Sequence, residues 1–287
     1  MLTQALINGL LLGGLYGVAA VGFSIVWGVM GIVNLAHGSF IMLGAYVAYF
    51  AFSELGIDPF MAIPAAMLLL FMMGYALQVV CLNRVMRTNP MLSLSLTFGL
   101  DLVLINVAML LFTTDFRLVN TAYSGQALRF MDATVPYDRL ATFSIAVLLA
   151  GLFFWFLRHT RPGYAILATA LDRQTVPLMG INPSRVYALT AGLGAALAGG
   201  AGCLASMVFP ISPTMGISFL GSAFVVTILG GVGSVEGAVI GGLLYGLVQS
   251  FASYFLGVSY QEVVAFSVFL AILVLRPQGL LGRQFYG

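Results

Sequence analysis

Long apolar runs separated by short polar intervals dominate this chain. Runs of about 20 apolar residues are long enough to cross a bilayer as helices, so the pattern predicts an all-α, polytopic integral membrane protein with eight or nine transmembrane helices. The predicted spans are 2–27, 41–52 (lengthened by 38 and 39), 60–82, 91–112, 140–157, 187–208, 217–229, 238–256 and 261–275. Every polar interval is too short to form a core of its own, and residues 1–287 therefore form one transmembrane domain.

Composition supports this prediction and narrows the chemistry. Only 7% of the residues are charged and 61% are hydrophobic, whereas a soluble domain carries about 25% charged residues. The sequence contains no nucleophile, base and orienting residue in a catalytic pattern, and no histidine, cysteine and carboxylate group at metal-ligand spacing. We therefore expect neither an enzyme nor a resident metal or cofactor. The few arginines lie at membrane boundaries, which also disfavours nucleic acid binding.

The positions of the arginines predict an orientation. Cytoplasmic segments of membrane proteins carry an excess of basic residues, and all eleven basic residues here are arginine. The interval 115–139 balances three arginines with three aspartates and is predicted to be external. The C-terminus is then cytoplasmic, and the N-terminus is external if residues 2–27 cross completely. The boundaries predicted to be cytoplasmic are Arg84 with Arg87, the loop 158–186, and Arg276 with Arg283.

Small residues recur at helix-packing spacing in two places. Gly9, Gly13 and Gly17 lie four residues apart on one face of the first span, which favours close approach of a neighbouring helix. The segment LGGVGSVEGAVIGG at 229–242 lacks the Gly-Lys-Ser/Thr of a phosphate-binding loop, and it predicts a sharp turn between two packed helices. Glu236 is expected at the cytoplasmic surface or at a helix start. The predicted packing or gating set is Gly9, Gly13, Gly17, Gly230, Gly231, Gly233, Glu236, Gly237 and Gly241.

A few polar residues inside apolar stretches are candidates for a translocation path. The stretch GVMGIVNLAHGSF at 28–40 predicts either a tight turn at the membrane surface or a broken helix whose polar groups approach the path. Asp101 lies near the middle of a span, where a carboxylate usually faces a bundle interior or a watery route. A structural role, hydrogen-bonded to Asn106, Thr97 or a neighbouring helix, is the alternative. The candidate path residues are Asn34, His37, Ser39, Asp101 and Asn106.

The arginine-rich loop is predicted to contain a short amphipathic helix. Pro162 and Gly163 favour a helix start, and apolar residues then recur through 164–178. Gly180 predicts the C-terminal stop, and Pro183 delays the next helix until Arg185. Such a helix either lies on lipid or docks into a groove of a partner, and the residues alone do not distinguish the two.

Several separate motifs resemble the permease subunits of branched-chain amino acid ABC importers, the LivH-type family. They occur in the family's order and cover nearly the whole chain. These motifs are GIVNLAHGSFIMLGAY (31–46), NPMLSLSLTFGL (89–100), MGINPSRVYALT (179–190), TILGGVGSVEGAVIGG (227–242) and LRPQGLLG (275–282).

The resemblance implies a multi-pass permease of the bacterial inner membrane that takes up branched-chain or other small hydrophobic amino acids. It implies a second homologous permease, two cytoplasmic ATPase subunits that bind the ATP, and a periplasmic or extracellular substrate-binding protein. Residues 163–182 would be the coupling segment that seats in a groove on an ATPase. The residues assigned to coupling by this resemblance are Gly163, Tyr164, Leu167, Ala170, Asp172, Gly180, Ile181 and Asn182.

Departures from the family pattern shape these expectations. Tyr164 and Leu167 stand where the family is often basic, and Leu171 stands where it is often acidic, so ATPase docking should depend more on apolar contact than on ion pairs. Ser39 stands where the family often has glutamate, which keeps permeases for urea and short amides as an alternative. An ion-coupled secondary transporter is disfavoured, since it would need inverted repeats and clustered ionisable groups at the midplane.

Overall fold

The protein is described here by a computed structural model that covers residues 2–86, 90–121, 123–130, 133–276 and 278–281. Arg87 and Arg283, both predicted to be cytoplasmic, lie outside the described residues. The α-helices are α1 (Leu2–Met30), α2 (His37–Leu55), α3 (Pro59–Leu77), α4 (Asn83–Met86), α5 (Pro90–Phe112), α6 (Tyr137–His159), α7 (Arg161–Leu171), α8 (Pro183–Ala205), α9 (Met215–Gly230), α10 (Val235–Leu256) and α11 (Gln261–Leu275). A π-helical turn (Gln78–Leu82) joins α3 to α4, and 3₁₀ turns occupy Val176–Met179 and Val258–Tyr260.

Helices long enough for a bilayer account for most of the described chain. Eight helical segments there have the length and apolar composition of a membrane span, and α9 is a shorter apolar helix of 16 residues. The α3 segment reaches this length by continuing through the π turn to Met86. The predicted all-α, polytopic class with eight or nine spans is therefore confirmed.

The two ends of the described chain lie on opposite sides of the bundle. At one side, the Gln4 amide donates to the carbonyl oxygen of Thr134 in the interval predicted to be external. At the other, the backbone N–H of Leu280 donates to Leu229 O at the end of α9. An odd number of crossings follows, because eight crossings would leave both ends on one side.

The centre of the bundle is formed by α1 and α8. In each of these helices, 89% of the most apolar stretch is buried. Glycines allow α10 to pack directly on α1: a Cβ built on Gly242 would lie 2.5 Å from the Cα of Gly17, and one on Gly13 would lie 2.7 Å from the Cα of Leu243. Contacts this short bring backbones together, which is how small residues stabilise helix pairs in membranes.

The interval predicted to be external contains a small sheet that the sequence pattern does not predict. Strands β1 (Ala127–Phe130) and β2 (Ala133–Pro136) pair antiparallel, with Leu128 opposite Val135. The Gln4 side chain bonds both backbone groups of Thr134 and ties the hairpin to α1. Strands of four residues are too short to show a clear alternation of apolar and polar positions, so the hairpin left no signal in the sequence.

The amphipathic helix is shorter than predicted, and the helix after it begins earlier. Helix α7 ends at Leu171, not at 178, because Asp172 Oδ1 accepts from the backbone N–H groups of Gln174 and Thr175 and holds them in a turn. Helix α8 starts at Pro183, not at Arg185. Proline is favourable at a first helical position, and the Asn182 side chain caps that start.

Candidate functional site

The segment between α1 and α2 turns back into the bundle. Helix α1 ends at Met30, and Gly31 adopts a left-handed conformation with φ +64°. Helix α2 begins at His37, whose Nε2 lies 3.0 Å from the carbonyl oxygen of Ala19 in α1. Ala19 precedes the end of α1 by eleven residues, or about 16 Å of helix. Of the two alternatives for 28–40, the structure therefore has the broken helix, with α2 starting inside the protein.

Helix α9 also starts inside the bundle, against the start of α2. A Cβ built on Gly216 would lie 2.5 Å from the carbonyl oxygen of Gly38. The preceding segment 206–214 is held by Ile211, which is buried and exchanges backbone hydrogen bonds with Arg117. The N-terminal ends of two interrupted helices thus meet next to the candidate path residues.

Three of the candidate path residues lie at the break: Asn34 within it, and His37 and Ser39 in the first turn of α2. Asn34 is buried, and its Oδ1 accepts from the backbone N–H of Ala36 at 3.1 Å. His37 is buried against α1, with its ring 5.3 Å from that of Phe23. Ser39 is buried on another side of α2, where its hydroxyl donates to Asp101 at 2.5 Å. These residues therefore share one segment but point to different neighbours.

The other two candidates lie on α5 and differ from each other. Asp101 is half-buried and accepts the Ser39 hydroxyl, so the partner of its carboxylate is on a neighbouring helix and is neither Asn106 nor Thr97. Thr97 instead accepts from the backbone N–H of Leu35 at 3.3 Å. Asn106 is exposed and its amide donates to Leu102 O in its own helix. The structure does not bring Asn106 to the other four.

A second candidate region lies on the predicted cytoplasmic side, where α7 seats on the end of α6. The buried face of α7 consists of Gly163, Ile166 and Thr169. A Cβ built on Gly163 would lie 2.4 Å from Phe156 O, so glycine allows this close seating. The Thr160 hydroxyl accepts from Gly163 N at 3.1 Å and caps the helix start.

The outer face of this region is apolar and exposed. Among the residues assigned to coupling, Tyr164 is exposed, Leu167 and Ala170 are half-buried, Gly180 has a left-handed φ of +76°, Ile181 is half-buried and Asn182 caps α8. The side chains of Leu178 and Met179 are 84% and 77% exposed; they lie within the coupling segment 163–182 but were not among the residues singled out in it. Exposed apolar patches of this kind mark interaction sites. We refer to Tyr164, Leu171, Leu178 and Met179 as the apolar coupling face.

Asp172 organises the turn between α7 and the apolar residues that follow. Its carboxylate accepts from the Thr175 hydroxyl and from the backbone N–H groups of Gln174 and Thr175, and these bonds lower the pKa of Asp172 below its ordinary value. The sign is that of a carboxylate stabilised in its charged form. The cap is therefore complete at neutral pH and weakens only as the pH falls through the acidic range in which aspartate titrates.

Arg173 is a residue that the sequence analysis missed. Its guanidinium donates from Nη1 to Met30 O at 3.1 Å and from Nη2 to Gly28 O at 3.3 Å. It therefore joins the coupling segment to the C-terminal end of α1. In the sequence, Arg173 was one of the four arginines from which the cytoplasmic side of the loop was predicted. Its contact with Met30 joins residues 143 positions apart and leaves no local signal.

A groove of about 470 Å³ lies beside α7, between α6 and the turn that follows α9. At its edge, Arg158 pairs with Glu236 at 2.8 Å, and both side chains are about half exposed. Such exposed ion pairs contribute roughly 0–1 kcal/mol. The capping role considered for Glu236 belongs to Ser234, whose hydroxyl accepts from Gly237 N. The groove lining includes Gly28, Phe154, Leu157, Leu167, Ala170, Leu171, Val235 and Leu281.

The glycines of that turn permit close backbone contacts. A Cβ built on Gly230 would lie 2.1 Å from Gly237 O, and one on Gly241 would lie 2.7 Å from Val226 O. Gly231 and Gly233 have positive φ angles of 104° and 81°. The turn thereby brings α9 and α10 together. Across the described part of the chain, no group of three histidine, cysteine or carboxylate side chains is arranged to hold a metal ion.

Comparison with known proteins gives matches over nearly the whole chain. Residues 5–273 match the family described as "Branched-chain amino acid transport system / permease component". The chain is 33% identical to the high-affinity branched-chain amino acid transport system permease protein BraD of Pseudomonas aeruginosa, with 98% of this chain and 95% of BraD covered. It is 31% identical to the corresponding protein LivH of Salmonella typhimurium, with the same coverage.

More distant similarities extend to an archaeon and to a solved structure. A probable branched-chain amino acid transport permease protein LivH of Methanocaldococcus jannaschii is 25% identical, with 92% of this chain and 87% of that protein covered. Among solved structures, PsaBC from Streptococcus pneumoniae in complex with Fab is similar at a TM-score of 0.47 and 18% identity, with 96% of this chain and 93% of that chain covered.

Proposed function

Because the chain belongs to the family of permease components of branched-chain amino acid transport systems, we propose that it is one transmembrane subunit of an ATP-driven importer of branched-chain amino acids in the bacterial inner membrane. It pairs with a second, homologous permease. Two cytoplasmic ATPase subunits bind and hydrolyse ATP, and an external binding protein delivers the substrate. The single observation that carries this proposal is the family match over 5–273.

The coupling segment receives the ATPase through its apolar coupling face. Support comes from the exposure of Leu178 and Met179 beside a rigid turn, and from α7 being seated closely on α6. Docking through apolar side chains agrees with the departures at Tyr164, Leu167 and Leu171, where charged residues are common in the family. An amphipathic segment held in this way fits the helix-in-groove mode of recognition.

The path runs past the interrupted starts of α2 and α9. Asn34 lies in the break and His37 and Ser39 lie in the first turn of α2, and the Asp101 carboxylate offers a counter-charge for the ammonium group of an amino acid. Irregular backbone at membrane depth is tolerated only where it is buried in protein or lines a watery cavity. This supports the break as the place where the path passes. Ser39 in place of the family's frequent glutamate keeps urea and short amides as the competing cargo.

Reconstitution in proteoliposomes tests the proposal. The chain would be co-expressed with the permease, ATPase and binding-protein genes beside its own and reconstituted with its partners. Uptake of radiolabelled leucine is expected with ATP and not with ADP. Leucine uptake driven by a proton or sodium gradient without ATPase subunits would overturn the proposal in favour of a secondary transporter. Uptake of labelled urea but not of leucine would show that the substrate is urea, and the proposed coupling to ATP hydrolysis would be retained.

A further inference from the structure

The last turn of α1 is capped by a side chain from the coupling segment. The final carbonyl groups of a helix have no partner within the helix. Here Arg173 supplies two N–H donors to two of them, on Gly28 and Met30. A guanidinium suits this position, because its planar fork donates in two directions and its positive charge faces the negative end of the helix dipole.

The guanidinium also lies against the point where the chain leaves α1. A Cβ built on Gly31 would lie 2.3 Å from Nη1 and 2.7 Å from Nη2 of Arg173. Gly31 is the first residue of the returning segment 31–36 and has φ +64°. Arg173 therefore contacts α1 and the beginning of the break at the same time.

Both ends of this connection are held. On the coupling side, the backbone next to Arg173 is held by Asp172, which bonds Gln174 and Thr175. On the inner side, the break is held by the bonds of Leu35 to Thr97 and of His37 to Ala19. These contacts therefore connect the coupling turn to a short segment that ends at the candidate path.

We propose that Arg173 is the positioning residue that transmits movement of the coupling segment to the break between α1 and α2. This inference rests on the function proposed above. Arg173 acts on backbone carbonyls, so it moves the end of α1 and Gly31 together with the turn. Other arginines of the loop are placed differently: Arg158 pairs with Glu236, and Arg185 is exposed on the first turn of α8.

The first test compares Arg173→Ala with the matched control Arg185→Ala in the complete reconstituted transporter. We expect Arg173→Ala to retain the co-purified ATPases and their ATP hydrolysis, while leucine uptake per ATP hydrolysed falls at least about tenfold, which corresponds to about 1.4 kcal/mol. Arg173→Lys should recover part of the ratio, since an ammonium reaches a single carbonyl more readily than two. Arg185→Ala should match the wild type.

The second test does not depend on the cargo. A cysteine placed at Val33, within the returning segment, would be alkylated with and without nucleotide trapping by ATP and vanadate, after replacement of Cys81 and Cys203. We expect trapping to change the alkylation rate when Arg173 is present and to leave it unchanged in Arg173→Ala. Failure of wild-type leucine uptake would count against the proposed function. The alkylation rate at position 33 would still test whether Arg173 connects the coupling segment to the break.

Two results would overturn the inference. One is an Arg173→Ala transporter with a wild-type ratio of uptake to hydrolysis and a wild-type response at position 33. The other is loss of the ATPases from the purified complex, which would make Arg173 a docking residue. If Arg173→Ala does not accumulate in the membrane, Gly31→Ala approaches the same contact from the opposite side. Its added methyl group displaces the guanidinium, and the same uncoupling is expected. Gly56→Ala, at φ +66° and with no atom of the described chain within 4 Å of the added methyl group, controls for the strain of alanine at positive φ and should leave the ratio unchanged.

Discussion

Several polar side chains of the described residues bond backbone groups at places where a helix begins, ends or breaks. Asp58 caps α3, Asn182 caps α8, and Asn34 bonds within the break. Asn34 is buried, and an unsatisfied backbone group in an apolar environment costs several kcal/mol, so its bond makes the irregular backbone tolerable. Asp58 and Asn182 act as ordinary N-caps, which contribute about 1 kcal/mol each. Asp101 is different, because its carboxylate is bonded to a side chain and remains partly exposed.

Replacement of Asp101 is expected to impair transport without impairing assembly. If the Asp101 carboxylate meets the substrate ammonium group as proposed, its removal forfeits a hydrogen bond to a charged group, worth roughly 1.5–3 kcal/mol, and Asp101→Ala should lower leucine uptake by about tenfold or more while the ATPases still co-purify. Asn106→Ala on the same helix is the control, because its amide bonds only Leu102 O. Normal uptake by the Asp101 variant would show that this carboxylate does not contribute to the translocation path.

Replacement of Gly242 is expected to destabilise the bundle. The added Cβ would lie 2.5 Å from the Cα of Gly17, and overpacking of this kind costs about 1–3 kcal/mol. Gly99→Ala is the matched control, since a Cβ there meets no atom of the described chain within 4 Å. A thiol-reactive dye that detects exposure of buried Cys203 on heating should show a lower Tm for Gly242→Ala alone. Equal Tm values would contradict the packing argument.

The helices divide into those buried in the interior of the bundle and those with exposed surfaces. Helices α1 and α8 are almost completely enclosed, whereas only 17% of the apolar stretch of α5 is buried. Helix α7 is partly buried and partly exposed. Its inner face is packed on α6, and the turn that follows its outer face carries the exposed side chains of Leu178 and Met179. The coupling segment is therefore well placed to bind a partner without disturbing the bundle.

A charge on the apolar coupling face is expected to prevent ATPase docking. Leu178 is 84% exposed, so Leu178→Asp costs the isolated chain little but buries a carboxylate against an apolar partner surface. We expect the amount of co-purified ATPase to fall at least tenfold. Leu55→Asp, 70% exposed at the opposite end of the bundle, should leave it unchanged. Equal recovery of ATPase with both variants would place docking elsewhere.

At the scale of the whole molecule, the described ends lie on opposite sides, and the positions of the arginines predict which side is cytoplasmic. The coupling segment, the groove and the end of α11 share the side predicted to be cytoplasmic. The hairpin and the start of α1 share the other. Force from an ATPase would therefore enter at one end of the bundle, and substrate at the other.

Labelling of introduced cysteines checks this orientation. After replacement of Cys81 and Cys203, a cysteine at the exposed positions Thr3 or Glu54 should react with a membrane-impermeant thiol reagent in intact cells. A cysteine at the exposed positions Gln174 or Gln278 should react only after permeabilisation. Labelling of Gln174→Cys from outside would show that the orientation in the membrane is the opposite of the predicted one, and it would exclude ATPase binding at the coupling segment.

The sequence by itself determined the membrane helices, though not the hairpin, because the causes of these helices are local. The length of each apolar run sets a span, and the bias of arginines predicts which side is cytoplasmic. Proline and glycine mark helix ends, although the capping side chains Asp172 and Asn182 moved two of these boundaries. The family resemblance likewise depends on motifs that are continuous in the chain.

Tertiary structure alone decided which distant residues meet. The contacts of Arg173 with Met30, of Ser39 with Asp101 and of Gly38 with Gly216 join segments far apart in sequence. No period or spacing encodes such contacts, because they depend on how the helices pack against one another. For the same reason, the burial of His37 and the exposure of Asn106 were decided only when α1, α2 and α5 took their places in the bundle.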